Sequence, residues 1–498
     1  MRRKLFICLL LIVSLVFFIG CKKERAVDND IIRINIASEP DSLDPWLSAA
    51  VDTKAIFNNV FEGLMKFDST GNLYPAIAKN LIVNKKQDVF TFEIRDNIYF
   101  HNGDHLTSDD VLYTYENLAN MSGDIAASAR YSSIKSVKAI DKYTVEILLD
   151  HPSSAFLSTT TIAVLPRGYE NQATKPIGCG PYKFVEYKPS QKIVLERFED
   201  YYNKDNFPKI KTAEVYIISD EASAVSALKS YQLDLALVSS ENAALLEDEF
   251  KIDSSPMNMV VLWALNNDVP PFDNEKVRLA FNLMVNRDDI INGVFGGYAT
   301  KLHTNFSPIM SHYYNEELDG YFERNLEKAK QLLKEAGYEN GLEIDITVPS
   351  NYYQHVNSAQ IIASEAAKLN VKVNIINVEW GTWLEKVYTN RDYQSTVIGL
   401  AGKIDPNDIL SRYETSYKRN FINYSNIEYD RVIAAAAKSI DDSERVELYK
   451  KAQRILSETS ASVWLCDPNN TTAMRKDLVG YKYYPAGLID FAAMSYEK

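Results

Sequence analysis

The chain has 498 residues, 46% of them hydrophobic, a formal net charge of −13 at pH 7, and four cysteines. That length holds two or three domains at about 150 residues each. Its acidity argues against nucleic acid as a partner and against a polybasic surface for docking on membranes, and so few cysteines exclude a disulfide scaffold.

The chain opens "MRRKLFICLLLIVSLVFFIGCKKE". Arg2, Arg3 and Lys4 precede an apolar run from Leu5 to Ile19, followed by Gly20-Cys21. A basic start, a short apolar stretch and a small residue before the cut describe a secretory signal over 1–20; a spanning helix needs about 20 apolar residues. The ending "FIGC" resembles a bacterial lipobox, with Phe18 where Leu is usual. The resemblance implies that Cys21 is lipidated (palmitate among the expected groups) and tethers an extracytoplasmic body to the cell membrane through a linker at 21–30. Cys8 leaves with the signal. Cys179 and Cys466 remain, and two isolated buried thiols are expected rather than a bridge.

Strands and helices then mix throughout. "IIRINIAS" (31–38) alternates as a strand should. "VFTFEIRDNIYFH" (89–101) predicts a strand, with Asn102-Gly103 as its turn. Thr107 and Asp110 form a capping-box pattern opening a helix. Residues 136–150 predict a hairpin turning near Asp141-Lys142. Strands follow at 191–198 and 212–219, a helix at 221–230 and a strand at 233–239. "DNEKVRLAFNLMVNRDDIINGVF" predicts one helix with Val277, Ala280, Phe281 and Met284 on a face. The next helix has Asn325 as N-cap and Gly337 as its stop. Residues 342–350, 357–370 and 371–380 form a strand–helix–strand unit, for which a parallel crossover is the default. The fold class is α/β with several sheets.

"YFHNGDHLTSDDVLYTY" (99–115) crowds His101, Asp104, His105, Asp109 and Asp110 together, all zinc-ligating residue types. A zinc site needs three or four such groups within about 2.3 Å of one ion. A strand end, a turn and a helix start are not obliged to aim them together, and acids in a helix's first turn complement its dipole. The expectation is scaffold, with no metal and no cofactor. Neither G-x-S-x-G, H-E-x-x-H nor C-x-x-C occurs, and "GCGPY" leads into a strand where a phosphate loop would lead into a helix. The reading is therefore not an enzyme.

Several segments together resemble one family, the extracellular solute-binding proteins (family 5) of peptide and nickel ABC importers. They are "SEPDSLDPW" (38–46), "VFEGLMKFDSTGNLYPAIAKNL", "FTFEIRDNIYFHNGDHLTSDDV", "PIGCGPYKFVEYKPSQKIVLERFEDYY", "VPPFDNEKVRLAFNLMVNRDDII" and "FINYSNIEYDRVIAAA", in that order. Cys179 stands where Thr is common. The resemblance implies a three-lobed periplasmic-binding-protein type II fold, a hinged two-lobe cleft with an inserted extra domain. Domain I would comprise 31–50, 175–265 and 480–498, domain II 51–174, and domain III 266–479. Hinge strands are expected near "VVLWALNND" and "VGYKYYPA".

It further implies a lipoprotein, expected to be a monomer, that captures a small peptide or peptide-like solute and delivers it to ABC permease and ATPase subunits. A nickel-chelate or other non-peptide solute, or presentation of peptide to a sensor, stays open. By position, Ala49 and Val51 would pair with a ligand main chain held as an added strand. Trp380 would cover a ligand side chain, while Trp383 is expected in the core. His303, His312 and His355 are the third domain's histidines and are expected at the surface. One departure matters. Peptide-binding members carry an aspartate that pairs with the ligand's ammonium, whereas "TVIGLAGKIDPND" is one residue shorter here. Counting back from Pro406 lands on Gly402, and counting forward from Gly399 lands on Lys403. Either Asp405 swings in, which its match to the family's acid-Pro pair favours, or Lys403 faces the cleft and the site favours an anion.

Overall fold

The computed structural model describes residues 28–121, 131–153 and 156–497; the signal run and Cys21 lie outside the described residues. In the first lobe, Ile31–Ile36 buries Ile32, Ile34 and Ile36. It lies parallel to Thr212–Ile217, with Ile31 opposite Thr212 and Ile36 opposite Ile217, and meets Leu235–Val238 on its other side. Antiparallel strands Lys192–Arg197 and Tyr182–Lys188 complete that edge. Asp234, 1% exposed, ties the lobe's distant segments together. Its carboxylate accepts from the Arg33 main-chain N–H at 2.7 Å and from the Arg475 guanidinium at 2.9 Å. A buried charge needs such partners.

The inserted lobe is a four-stranded antiparallel sheet, Ala78–Val83, Val89–Ile94, Thr144–Leu149 and Ile134–Asp141 in spatial order. The helix Ser108–Asn120 shares one apolar cluster with it, including Phe90, Phe92, Val111 and Tyr115. The histidine and aspartate cluster is built into this lobe. His101 Nε2 donates to the Gly180 carbonyl at 3.0 Å, and its Nδ1 accepts from the Gly178 N–H at 3.4 Å. Burial pushes the imidazole pKa down to about 4. His105 donates to the Asp96 carbonyl at 2.8 Å. Asp110 accepts from the N–H groups of Thr107 and Arg167, each at 2.9 Å. These side chains hold main chain. Gly178 and Gly180 run against Val60 and Asn59: a Cβ would fall 2.0 Å from the Val60 oxygen or 2.5 Å from that of Asn59.

In the third lobe, Leu342–Pro349 and Val371–Val378 are parallel, joined by the helix Tyr353–Ala367. Ser395–Ala401 and Met259–Leu265 follow, antiparallel to each other. Successive residues of Met259–Leu265 enter opposite cores. Val260, Leu262 and Ala264 join one cluster, while Val261, Trp263 and Leu265 join the other. A strand covered on both faces reads as a continuous apolar run.

Several boundaries differ from the sequence expectation. The 273–295 helix is two helices, Glu275–Met284 and Arg287–Phe295. Val285 and Asn286 are extended, and the Asn286 side chain accepts from the Asp288 N–H at 3.2 Å. The break delivers Arg287 to a buried position where it donates to the carbonyls of Leu302, Trp464 and Asn282. The apolar period runs on through the break, so periodicity does not reveal it. The helix Val51–Phe57 packs Ala55, Ile56 and Phe57 into the first lobe's core rather than the insertion's. Met259–Leu265 belongs to the third lobe's sheet rather than to domain I. The return to the first lobe comes along Val463–Met474, where Thr471–Met474 already pairs with Leu235–Val238, ahead of the expected 479–486. Pro468 and two asparagines disguised this strand. A proline is tolerated where ladder partners change. Cys179 and Cys466 are free, buried thiols in separate cores.

Candidate ligand cleft

Two antiparallel strands connect the first and third lobes. Lys251–Pro256 pairs with residues 474–469 in the first lobe's sheet, and Met259–Leu265 pairs further back along that strand, Val261 with Cys466 and Trp263 with Val463. Met257 and Asn258 lie between them, Asn258 with φ +61°. Asp467, fully buried, spans the break: its Oδ1 accepts from the N–H groups of Met257 at 3.2 Å and Met259 at 3.0 Å. Burial pushes this carboxyl up to about 7 despite those bonds. Two crossing strands with irregular backbone between regular ladders are the anatomy of a hinge.

Gly402 backs the same point. Its N–H donates to the Asn258 carbonyl at 2.6 Å. A Cβ there would lie 2.0 Å from the Asn258 Oδ1, so only glycine fits. On the first lobe, Asp41 Oδ2 accepts from the N–H groups of Ala49 at 2.6 Å and Ala50 at 2.9 Å. The Ala49 donor is thus spent within its own loop. The Val51 side chain is 66% exposed beside Gly487.

On the third lobe, Trp380 is 36% exposed and stacks on Trp383 with centroids 5.2 Å apart. Trp383 is buried, and its indole N–H donates to the Thr396 hydroxyl at 3.0 Å. Tyr388 stacks on Trp383 in turn, at 6.1 Å. His303 and His355 are buried rather than at the surface. His303 Nδ1 accepts from the Phe322 N–H at 3.2 Å, and burial pushes it down to about 3. His355 lies against Tyr352 and Gly399 and is pushed down to about 4 by burial. His312 pairs with Asp442.

Asp405 is turned inward. It is 8% exposed, caps the helix Pro406–Leu410 by accepting from the Asn407 N–H at 2.8 Å, and faces the Arg445 guanidinium at 3.7 Å. Burial raises its pKa, and Arg445 pulls against that. Lys403, two residues earlier, is exposed and lines a pocket of about 450 Å³ at the end of Ser395–Ala401. Arg412, Arg419, Tyr388 and Tyr417 line it with Lys403. The Arg412 guanidinium also donates to the Ala401 carbonyl at 3.1 Å. The structure therefore places Lys403 on a pocket that Tyr388 also lines, and leaves Trp380 and Asp405 out of its lining. Sequence reasoning missed Arg412, Arg419 and Tyr388. The interleaved cations and rings of "RYETSYKRN" (412–420) were the available signal.

Residues 72–421 match the family described as bacterial extracellular solute-binding proteins, family 5 (middle). The chain is 26% identical to the dipeptide-binding protein DppE of Bacillus subtilis (strain 168), over 94% of this chain and 92% of that protein. Among solved structures it resembles the Helicobacter pylori periplasmic binding protein DppA in complex with peptide STSA. There the identity is 26% and the TM-score 0.67, covering 94% of this chain and 98% of that one. The unliganded open form of the murein tripeptide-binding protein MppA shares the fold at 21% identity, TM-score 0.85, 94% and 98% coverage. With its central 72–421 matched and a hinged, two-lobed cleft carrying an inserted third lobe, the chain belongs to the bacterial extracellular solute-binding proteins, family 5.

Proposed function

We propose that this chain is the substrate-binding lipoprotein of an ABC importer, closing its first and third lobes on a peptide-like solute and passing it to the membrane permease. Members of the family are solute-binding proteins rather than enzymes and work outside the cytoplasm. The observation that carries the reading is the two-stranded crossing at Pro256–Met259 and Asp467–Asn470, where both strands pass from one lobe's ladder into the other's. Trp380 supports it, since a large ring left partly in water beside a cleft supplies apolar contact without strict side-chain preference. The anchor is Cys21, and no helix among the described residues is long and apolar enough to cross a membrane.

Solute binding closes the cleft without chemistry. Small-angle scattering of the purified protein with and without a random tripeptide mixture is expected to show a smaller radius with peptide, and mass spectrometry to recover the peptides intact. An unchanged radius at saturating solute, or cleaved products, would remove the reading. Label from palmitate retained by the wild type and lost in Cys21→Ala tests the anchor separately. The lack of an acid at either counted position, Gly402 or Lys403, favours a second version of the same reading, in which the solute is not defined by a free ammonium.

A further inference from the structure

We infer that the pocket around Lys403, Arg412 and Arg419 is an anion subsite, and that the solute carries a carboxylate or equivalent acid at this end instead of an ammonium. The inference rests on the solute-binding reading above and specifies its ligand. Three cations converge on one pocket of about 450 Å³ in a chain whose formal net charge is −13. Neither the Lys403 ammonium nor the Arg419 guanidinium has an ion-pair partner among the described residues. Arg412 is held by the Ala401 carbonyl, which fixes its planar fork at the pocket wall. Asp408 is the one carboxylate among the described residues lining the pocket, so positive charge is in excess there.

Surface cations usually mean little, because most are solvated or paired. These differ in where they stand. Lys403 follows directly on Gly402, whose N–H and missing side chain fix that turn against Asn258 at the hinge. The Lys403 carbonyl is itself met by the Asn258 amide at 3.5 Å. The cation is therefore carried on a segment that the hinge positions. Tyr388, whose ring stacks on the buried Trp383, lines the same pocket and gives it one aromatic wall. Guanidinium forks suit a carboxylate bidentately, and a lysine adds a mobile point charge. The carboxylate that would have held an ammonium is spent: Asp405 caps a helix and faces Arg445.

The test is calorimetric titration of three probes differing only at the amino end: free Ala-Ala-Ala, its N-acetyl form and its N-succinyl form. Each is run against the wild type and Lys403→Gln/Arg419→Gln, whose exposed positions leave the fold intact. Succinyl-Ala-Ala-Ala is expected to bind the wild type about ten- to a hundredfold more tightly than the acetyl form, the range of a charge-assisted hydrogen bond. The free peptide is expected to bind most weakly, and the double variant to lose most of the succinyl preference. Tightest binding of the free peptide, or a succinyl-to-acetyl ratio unchanged in the variant, would overturn the inference. Native mass spectrometry of protein purified from its own host gives a second readout. A retained solute of net negative charge supports the subsite even if no alanine probe binds, which would revise only the peptide class. A retained neutral or cationic solute overturns the subsite while leaving transport standing. Retention of no solute and binding of no probe would remove both readings together.

Discussion

Two clusters of charged side chains, at 99–115 and at 399–420, reverse the order of interest that their residue types suggest. The first gathers histidines and aspartates and looks like chemistry, yet its His101 and Asp110 are used up on main chain. Asp104 and Asp109 stand exposed against the Asn102 and Arg167 side chains. His101 spans Gly178 and Gly180, and Asp110 holds Thr107 and Arg167. The second is plain as a motif, yet surrounds a cavity with three cations that have no ion-pair partner among the described residues. What separates them is unspent hydrogen-bonding and charge capacity. A group that can still gain a partner is one that a solute can reach.

The contrast is most sharply tested at Asp405, which sits in the second stretch but behaves like the first. Asp405→Ala leaves a mostly buried Arg445 without its carboxylate and removes a helix cap, an expected loss of about 3–5 kcal/mol. Urea unfolding of the third lobe measures it. Unaltered stability with abolished peptide binding would instead place Asp405 in the cleft.

The hinge offers a carboxylate buried as deeply but left at odds with its surroundings. Asp467 is raised from 3.8 to about 7 by burial. The folded chain then holds a proton that the unfolded chain releases. Its contribution is fully present below pH 3.8 and is lost as pH rises through about 7. Asp467→Asn is therefore expected to close a gap on the order of 2–4 kcal/mol against the wild type between pH 4 and 8. The measurement is the difference between the two unfolding free energies across that range, since other carboxylates titrate alike in both. A difference independent of pH would mean that Asp467 is ionised throughout.

A smaller effect is expected at the first cluster itself. His101→Ala strands the Gly180 carbonyl and the Gly178 N–H and opens space beside Phe198, whose ring lies 4.9 Å away. The expected loss is about 2–3 kcal/mol, with solute affinity unchanged once the protein is folded. Chemical denaturation followed by titration of the surviving native fraction checks both halves. Lost affinity with unchanged stability would move this cluster from scaffold to site.

Local patterns in the sequence determined a good deal here. The alternation of Ile31–Ile36, the capping box at Thr107 and Asp110, the Asn325 cap and the parallel unit of 342–378 all appear in the structure. So does the family, because its signature runs are themselves local: turns, caps and strand ends that must recur wherever the same main chain is held. The chain order of residue types also left no acid at either counted position, Gly402 or Lys403, where an ammonium-binding aspartate was expected.

Tertiary structure decided the rest. The crossing strand Val463–Met474 was illegible because Pro468 and its asparagines read as a turn until both ladders are seen. Gly402, Ala49 and Asp405 looked like ligand contacts by count. Only the folded chain reveals that the N–H of the first two and the carboxylate of the third are already engaged, with Asn258, Asp41, and Asn407 and Arg445 in turn. The pocket needed Tyr388, Lys403, Arg412 and Arg419 brought from separate turns to one strand end. Periodicity and propensity act over a few residues, whereas burial and charge compensation are properties of the assembled molecule. For this protein, local chemistry named the scaffold and the folded chain chose which charges remain free.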